Sequence, residues 1–350
     1  MVSANLDKKG VIRMSFQSDQ QEFWQNKSVL ITGAGGFIGS HLVEKLVENG
    51  AHVKAFVRYN SRGDSGMLRW VSPEVFNNLE IISGDLRDLN TLNAAMKMVD
   101  TVFHLGALIA IPYSYLHPAD SIETNVMGTL NVLLAGRDQG VRRIVHTSTS
   151  EVYGTAIKVP IDENHPLQGQ SPYSASKIGA DKIAESFYRT YNLPVVTLRP
   201  FNTYGPRQSA RAVIPTIITQ ALTRDSISLG NLDARRDFTF VSDTVEGFLR
   251  SAMVKGIEGC TFNLGVGEDI SIAQLVEEIK TILGKPISID VQTERLRPEK
   301  SEVMRLISDN RLAKEHLGWV PQVNLHDGLT RTIEWIAKNL SLYRPNQYQI

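Results

Sequence analysis

A tyrosine and a lysine four residues apart in the sequence form a pair that suits proton transfer. Tyr173 and Lys177 lie four residues apart in Tyr-Ser-Ala-Ser-Lys. Residues four apart share one face of a helix, so the ammonium is expected close to the phenol. A neighbouring cation lowers the pKa of a phenol, and a tyrosine tuned in this way acts as a base near neutral pH. The same spacing also occurs on surface helices, so its meaning depends on what lies beside it.

Polar side chains precede this pair at the end of an apolar segment. The run is His146-Thr-Ser-Thr-Ser-Glu151, so the adjacent hydroxyls of Thr149 and Ser150 and the Glu151 carboxylate leave the end of a predicted strand together. The alternative for Glu151 is a structural ion pair with an arginine. We expect these groups to face the same crevice as the tyrosine, and the predicted catalytic residues are Thr149, Ser150, Glu151, Tyr173 and Lys177.

A glycine-rich motif predicts a dinucleotide site. Residues 29–32 form an apolar run that leads into Gly33-Ala-Gly-Gly36-Phe37-Ile38-Gly39 and then into an amphipathic segment. Such a turn between a strand and a helix leaves backbone amides free to bind pyrophosphate. Gly33 permits the turn, Gly36 lets phosphate approach, and Gly39 allows the helix to pack closely on the sheet. The spacing differs by one residue from the usual G-x-G-x-x-G fingerprint.

The end of the second predicted strand favours NADP over NAD. An acidic residue at this point binds the ribose 2′-hydroxyl of NAD and repels a 2′-phosphate. Here Arg58, Ser61 and Arg62 occupy the loop, and no carboxylate follows until Asp64. NAD remains the alternative, with the two arginines simply solvated. Asp85 and Leu86, after the third strand, are further cofactor-binding candidates.

The elements that position these residues alternate in type. Six short apolar runs predict strands, and longer segments of helical period lie between and after them. These predict a doubly wound α/β fold with a parallel Rossmann sheet and a smaller C-terminal substrate-binding domain over the carboxyl ends of the strands. The predicted strands are 28–32, 52–57, 79–82, 101–104, 143–147 and 195–198, and the helices are 37–49, 91–98, 121–138, 173–191, 212–223 and 271–283.

We divide the chain accordingly. The dinucleotide-binding domain is expected at 27–198 with 236–264, the substrate-binding domain at 199–235 with 265–346, and a polar extension at 1–26. Length and composition agree with a globular protein: 350 residues, 42% hydrophobic and 21% charged.

Charge and residue usage exclude several classes. The 37 basic and 37 acidic residues balance, which argues against a nucleic-acid partner. No apolar run is long enough for a membrane span, and the first 27 residues do not resemble a secretory signal. The single cysteine, Cys260, fits a cytoplasmic protein, and no metal-ligand pattern is present.

These motifs together resemble the extended short-chain dehydrogenase/reductases that act as nucleotide-sugar epimerases and dehydratases. The resemblance spans 28–336 and includes Asn-Val-Met-Gly-Thr from Asn125, Arg199-Pro-Phe-Asn-Thr-Tyr-Gly-Pro-Arg207, and Arg235-Arg-Asp-Phe-Thr-Phe-Val-Ser-Asp243. Thr-Ser-Glu-Val-Tyr-Gly is similar to the 4,6-dehydratases. The runs 149–177 and 207–215 resemble the LegB-type enzymes of legionaminic acid synthesis, which act on nucleotide-linked N-acetylglucosamine.

The resemblance implies a lyase with a tightly bound nicotinamide cofactor and a nucleotide-sugar substrate. The sugar would be oxidised at C4, would lose water across C5 and C6, and would be reduced at C6 to a 4-keto-6-deoxy product. A homodimer formed by helices 121–138 and 173–191 is implied as well. The substrate-binding candidates are Tyr113, Asn125, Asn202, Arg207, Arg236 and Arg297, the arginines because planar donors suit a diphosphate.

Four alternatives stay open. A 4-epimerase would leave Glu151 idle, and a UDP-glucuronate-type decarboxylase would need a cationic contact at C6. A ketosugar reductase would consume reduced cofactor at each turnover. A silent NADP-binding scaffold would not need the residues Thr149, Tyr173 and Lys177. The sequence leaves the nucleotide, the hexose and the stereochemistry at C5 undetermined.

Overall fold

The computed structural model describes residues 16–343, which form fourteen strands and thirteen α-helices. The strands are β1 Ser28–Thr32, β2 His52–Arg58, β3 Leu79–Gly84, β4 Thr101–His104, β5 Arg143–Thr147, β6 Val195–Pro200, β7 Thr203–Tyr204, β8 Ser226–Leu229, β9 Arg235–Arg236, β10 Thr239–Phe240, β11 Thr261–Leu264, β12 Ile270–Ser271, β13 Ser288–Val291 and β14 Arg305–Leu306. The helices are α1 Phe16–Trp24, α2 Phe37–Glu48, α3 Pro73–Asn77, α4 Leu89–Ala95, α5 Ile111–Leu116, α6 Pro118–Ile122, α7 Gly128–Asp138, α8 Pro172–Tyr191, α9 Val213–Thr223, α10 Val241–Met253, α11 Ile272–Leu283, α12 Arg311–Leu317 and α13 Leu325–Lys338.

A seven-stranded parallel sheet confirms the predicted fold class. Its order is β11-β6-β5-β4-β1-β2-β3, and all six predicted strands belong to it. The seventh strand, β11, was not predicted. The chain order reverses between β1 and β4, and ligands bind outside the carboxyl ends of the strands at such a switch point.

Both faces of the sheet are covered by helices. Successive side chains of a strand point to opposite faces, so Leu30 packs in one apolar layer while Val29 and Ile31 pack in the other. Helix α7 contacts both α4 and α8, and α2 contacts α10. Strands buried in this way read as continuous apolar runs, which explains why the sequence revealed them.

The described part of the N-terminal extension is packed against the sheet domain. Its helix α1 ends in Trp24, which is fully buried against Phe103. The Gln20 amide donates to the Glu246 carboxylate of α10 at 2.8 and 3.0 Å. Phe23 and Trp24, which lie in the segment expected to be a polar extension, pack in or against the core.

Residues after β6 build the opposite wall of a cleft. The small strands form three sheets, of which the largest is β12-β9-β14. Helix α9 packs on α11 and α13. Within residues 16–343, no helix is long and apolar enough to cross a membrane, and no cluster of three metal-ligating side chains occurs.

Candidate active site

A cavity of about 920 Å³ lies at the carboxyl ends of the central strands. Its walls come from the glycine turn, the loop after β2, the end of β5, the start of α8 and the segment after β6. Fourteen of the predicted site residues line it: Gly33, Gly36, Phe37, Ile38, Gly39, Arg58, Ser61, Arg62, Thr149, Ser150, Glu151, Tyr173, Asn202 and Arg297.

The glycine turn has the geometry of a pyrophosphate cradle. Gly33 has φ +71°, and a Cβ atom there would lie 2.8 Å from the Gly106 nitrogen. A Cβ atom on Gly39 would lie 2.3 Å from the Gly33 carbonyl oxygen, so the helix can pack this closely only with glycine. Gly36 starts α2, and no side chain caps its amides. These free amides fit the dinucleotide that the motif predicts.

The loop after β2 brings three candidates to one end of the cavity. Arg58, Ser61 and Arg62 line it together with Asp64. Asp64 is engaged locally, because it accepts a hydrogen bond from the Gly66 nitrogen at 2.8 Å and pairs with Arg69. The two cavity arginines make no ion pair with any residue of 16–343.

Thr149, Ser150 and Glu151 are positioned by a short 3₁₀ helix, Ser150–Tyr153, directly after β5. The Thr149 hydroxyl caps this turn by accepting from the Glu151 nitrogen at 3.2 Å. Across the cavity, the Arg297 Nη1 atom lies 3.8 Å from the Glu151 carboxylate. That atom is buried and has no hydrogen-bond partner among the described residues, so the pair is a loose one.

Tyr173 begins α8, whose N-terminus is fixed by a capping box between Ser171 and Ser174. Burial raises the pKa of the Tyr173 phenol well above its ordinary value, and the charge of Glu151 raises it further. A hydrogen bond with Thr149 acts in the opposite direction. The lowered pKa predicted from the sequence requires a cationic nicotinamide beside the phenol, and among the protein's own groups burial outweighs the hydrogen bond with Thr149. Tyr173 interacts with both Thr149 and Glu151.

Lys177 lies one turn further along α8, beneath the cavity floor. Its ammonium donates to the Thr147 carbonyl at 2.7 Å. Burial lowers the pKa of Lys177 to about 8, against the opposing charge of Asp181. Asp181 in turn accepts hydrogen bonds from His146, Ser148 and Arg199, which hold its own pKa at about 2 despite its burial. This buried network fixes the helix relative to the end of β5.

Besides Lys177, six predicted site residues do not line the cavity: Asn125, Tyr113, Asp85, Leu86, Arg207 and Arg236. Asn125 is buried. Its side-chain oxygen accepts a hydrogen bond from the Leu108 nitrogen, and its side-chain nitrogen donates to the Leu108 carbonyl and to the Ser176 hydroxyl. It therefore holds the loop that lines the cavity. The Tyr113 hydroxyl donates to Asp120, and Asp85 pairs with Arg87. Leu86 is buried, with its carbonyl accepting from Asn131.

Two predicted diphosphate ligands are engaged by other protein groups. Arg236 is buried, with its guanidinium on the Arg235 carbonyl and the Glu302 carboxylate, and its charge also interacts with Glu151. Arg207 turns toward α2, where it contacts His41 and Glu44. These placements depend on the direction of the backbone, which a sequence motif does not specify.

Sequence reasoning missed part of the cavity wall. Gln208, Ser209 and Arg211 line it, followed by Ala212, which is the N-cap of α9. No side chain caps α9, so the amides of Val213 and Ile214 are uncapped, while the third position, Pro215, has no N–H. The available signal was the lack of a Ser, Thr, Asp or Asn immediately before a strongly apolar helix.

Comparisons with known proteins agree with this geometry. The family model for GDP-mannose 4,6-dehydratase matches residues 30–332. The UDP-glucose 4-epimerase of Mycolicibacterium smegmatis is 35% identical over 87% of this chain and 97% of its own length. The mouse dTDP-D-glucose 4,6-dehydratase is 32% identical over 89% of both chains.

Among solved structures, the dTDP-glucose 4,6-dehydratase DesIV of Streptomyces venezuelae has the same fold. It superposes with a TM-score of 0.81 and 30% identity, covering 91% of this chain and all of that one (100%), and it was solved with NAD bound.

Proposed function

Because the chain belongs to the GDP-mannose 4,6-dehydratase family of NAD(P)-dependent nucleotide-sugar enzymes, we propose that it is itself a nucleotide-sugar 4,6-dehydratase. The family includes dehydratases, epimerases and decarboxylases. The proposed substrate is UDP- or GDP-linked N-acetylglucosamine, and the product is its 4-keto-6-deoxy derivative. The sugar is suggested by the LegB-like runs 149–177 and 207–215.

One observation carries the proposal: the Glu151 carboxylate lines the cavity beside Tyr173. Transfer of hydrogen at C4 alone needs the tyrosine and a hydroxyl. Removal of a proton from C5 needs a second base, and the position of Glu151 suits that role. The ion pair with Arg297, at 3.8 Å, is too long to be a hydrogen bond and leaves the carboxylate available.

The protein groups then act as follows. When bound, a nicotinamide would supply the hydride acceptor and later the hydride donor, and the positive charge of its oxidised form would offset the effect of burial on the Tyr173 pKa. Ionised in this way, Tyr173 accepts the proton of the sugar 4-hydroxyl, and Thr149 hydrogen-bonds the same oxygen. Glu151 takes the C5 proton, which the 4-keto group has made acidic. That proton passes to the departing C6 hydroxyl, directly or through Ser150, and water leaves. When hydride is added at C6, C5 regains one proton, which balances the proton that Tyr173 accepted from the 4-hydroxyl.

The remaining candidates bind and orient. The glycine turn and α2 hold the dinucleotide pyrophosphate, and Arg58, Ser61 and Arg62 favour NADP over NAD through the 2′-phosphate. Arg297, Asn202 and the free amides of α9 hold the sugar diphosphate. We also propose a homodimer, and a cytoplasmic location in keeping with the single cysteine.

The test is incubation with UDP- and GDP-N-acetylglucosamine followed by mass analysis of the product. Loss of one water and the appearance of a methyl signal are expected. Glu151→Gln should retain the cofactor and lose about 10²- to 10⁴-fold in dehydration rate, as removal of a general base does. Glu185→Gln is the control, because this carboxylate lies on α8 away from the cavity. Unchanged dehydration in Glu151→Gln removes that residue from the mechanism.

A 4-epimerase is the second candidate, favoured by the 35% identity to the mycobacterial epimerase. It predicts a product of unchanged mass and an active Glu151→Gln variant. A decarboxylase would instead release carbon dioxide from a nucleotide-linked uronate, so mass analysis with UDP-glucuronate as an additional substrate separates all three.

A further inference from the structure

The segment 205–212 leads into α9 at the cavity and also contacts α2, whose N-terminus lies at the same cavity. It follows β7 and leads into α9, and its residues Gln208, Ser209 and Arg211 line the cavity. At its end, Ala212 leaves the first amides of α9 without a side-chain cap. The first amides of α2 are equally uncapped at Gly36. The start of α2 therefore offers free amides to the dinucleotide. At the start of α9, Gln208, Ser209, Arg211 and Ala212 line the cavity, next to the uncapped amides of Val213 and Ile214.

Behind the wall, the same segment is fastened to α2. The Arg207 Nη2 atom donates to His41 Nδ1 at 2.6 Å and pairs with the Glu44 carboxylate. His41 Nε2 lies 3.0 Å from the Pro206 carbonyl oxygen. The Arg207 side chain is only 5% exposed. His41 and Glu44 lie in the second turn of the helix whose first turn meets the dinucleotide.

The charges in this cluster define its hydrogen bonds. Burial, together with the charge of Arg207, lowers the pKa of His41 to about 3, so the ring is neutral at ordinary pH. A neutral ring with its proton on Nε2 donates to Pro206 and accepts from Arg207 Nη2 at Nδ1. In that tautomer the 3.3 Å contact between Arg207 Nε and His41 Nε2 is not a hydrogen bond. Glu44 supplies the compensating charge for the guanidinium. The contact therefore joins the two elements by one ion pair and a bridging neutral histidine.

The backbone of Arg207 supports the same conclusion. Its φ is +68°, in the left-handed region that side chains other than glycine rarely adopt. Such a conformation costs on the order of 1 kcal/mol and persists only where surrounding contacts hold it. Here the unfavourable backbone turns the guanidinium away from the cavity and onto α2.

We propose that Arg207, with His41 and Glu44, makes binding at the two diphosphate sites mutually dependent. The proposal rests on the proposed function in one respect: it assumes that a nucleoside diphosphate group binds at the α9 end. Dinucleotide pyrophosphate fixes the start of α2, and Arg207 transmits that position to segment 205–212 and hence to α9. By linkage, the nucleoside diphosphate must favour dinucleotide binding by the same factor. Arg207 is a positioning residue in this scheme.

The experiment measures that factor. Protein freed of bound dinucleotide by charcoal is titrated with NADPH, followed by its fluorescence, with and without saturating UDP, GDP or dTDP. We expect the tightest of the three diphosphates to lower the NADPH dissociation constant about 5-fold or more, which is the lower end of typical coupling. In Arg207→Gln the ratio should fall to about 1 while both ligands still bind.

Two further variants keep the test decisive. Glu44→Gln keeps a hydrogen-bond acceptor at a half-buried position and should reduce the coupling without unfolding the protein. Arg311→Gln, an arginine exposed on α12, should leave it unchanged. Undiminished coupling in both Arg207→Gln and Glu44→Gln overturns the proposal, as does a wild-type ratio of 1 or the absence of diphosphate binding. Because no turnover is measured, the outcome is separate from whether the enzyme dehydrates its substrate.

Discussion

The ionisation of Lys177 links the buried part of the site to a measurable pH dependence. Its pKa is lowered to about 8 because the ammonium is buried, so the charge is present below that pH and is lost as pH rises through it. We expect kcat/KM to decline above about pH 8, since a neutral amine no longer supports the tyrosine electrostatically. Lys177→Arg keeps a permanent charge and should lack this decline, although its activity will be lower. An identical decline in both proteins would assign it to another group.

Cofactor choice is decided by a few side chains at the far end of the cavity. Arg58 and Arg62 line it without an ion-pair partner in the described chain. A charge-assisted hydrogen bond to phosphate contributes about 1.5–3 kcal/mol, which is a factor of ~10 to 100 in affinity. Replacing both with alanine should therefore reduce the preference for NADP over NAD by at least that factor. Dissociation constants for both cofactors test this, with Arg137→Ala as a remote control; equal preference before and after substitution would show that the arginines are merely solvated.

Among the elements, helix α1 contributes to the stability of the core through its last residue, Trp24. Trp24 is fully buried and contacts both Phe23 and Phe103. Truncating a buried tryptophan costs about 3–5 kcal/mol. Trp24→Ala should thus lower the free energy of unfolding by about that amount in denaturant titrations, whereas Glu22→Ala, exposed on the same helix, should change it by less than ~0.5 kcal/mol. A small effect in Trp24→Ala would mean that the helix is dispensable to the core.

The same elements show what could be predicted from sequence. Helix α8 was expected at 173–191 and is found at 172–191, because apolar period and the Ser171 cap both mark it. Strand β11 was missed because its four residues acquire a strand character only by pairing with β6. The catalytic candidates came from contiguous motifs at strand and helix ends, so local order placed them. Arg207 could not be placed, since its orientation depends on φ +68° and on His41, 166 residues away in sequence.

At the scale of the whole molecule, the two halves of the chain divide the chemistry. The sheet domain supplies the dinucleotide cradle and the proton-transfer groups, while the segments after β6 supply Asn202, Arg297 and the start of α9. Glu151 and Arg297 approach each other from opposite walls. Such a site requires a fixed relative position of its two walls. The contact between Arg207 and α2 joins these walls.

The helical segments 118–138 and 172–191 carry exposed apolar side chains that suit an interface between two copies of the chain. Ile122, Met127 and Tyr191 are exposed there to 41%, 47% and 50%. In an isologous interface each substitution is present twice, so a charge on this face is doubly unfavourable. We expect the protein to be a homodimer by light scattering, and Ile122→Glu with Met127→Glu to shift it to a monomer. Met98→Glu, at a 92% exposed methionine outside these helices, is the matched control. A wild-type monomer, or a double variant that remains dimeric, would place the contact on another surface or remove it.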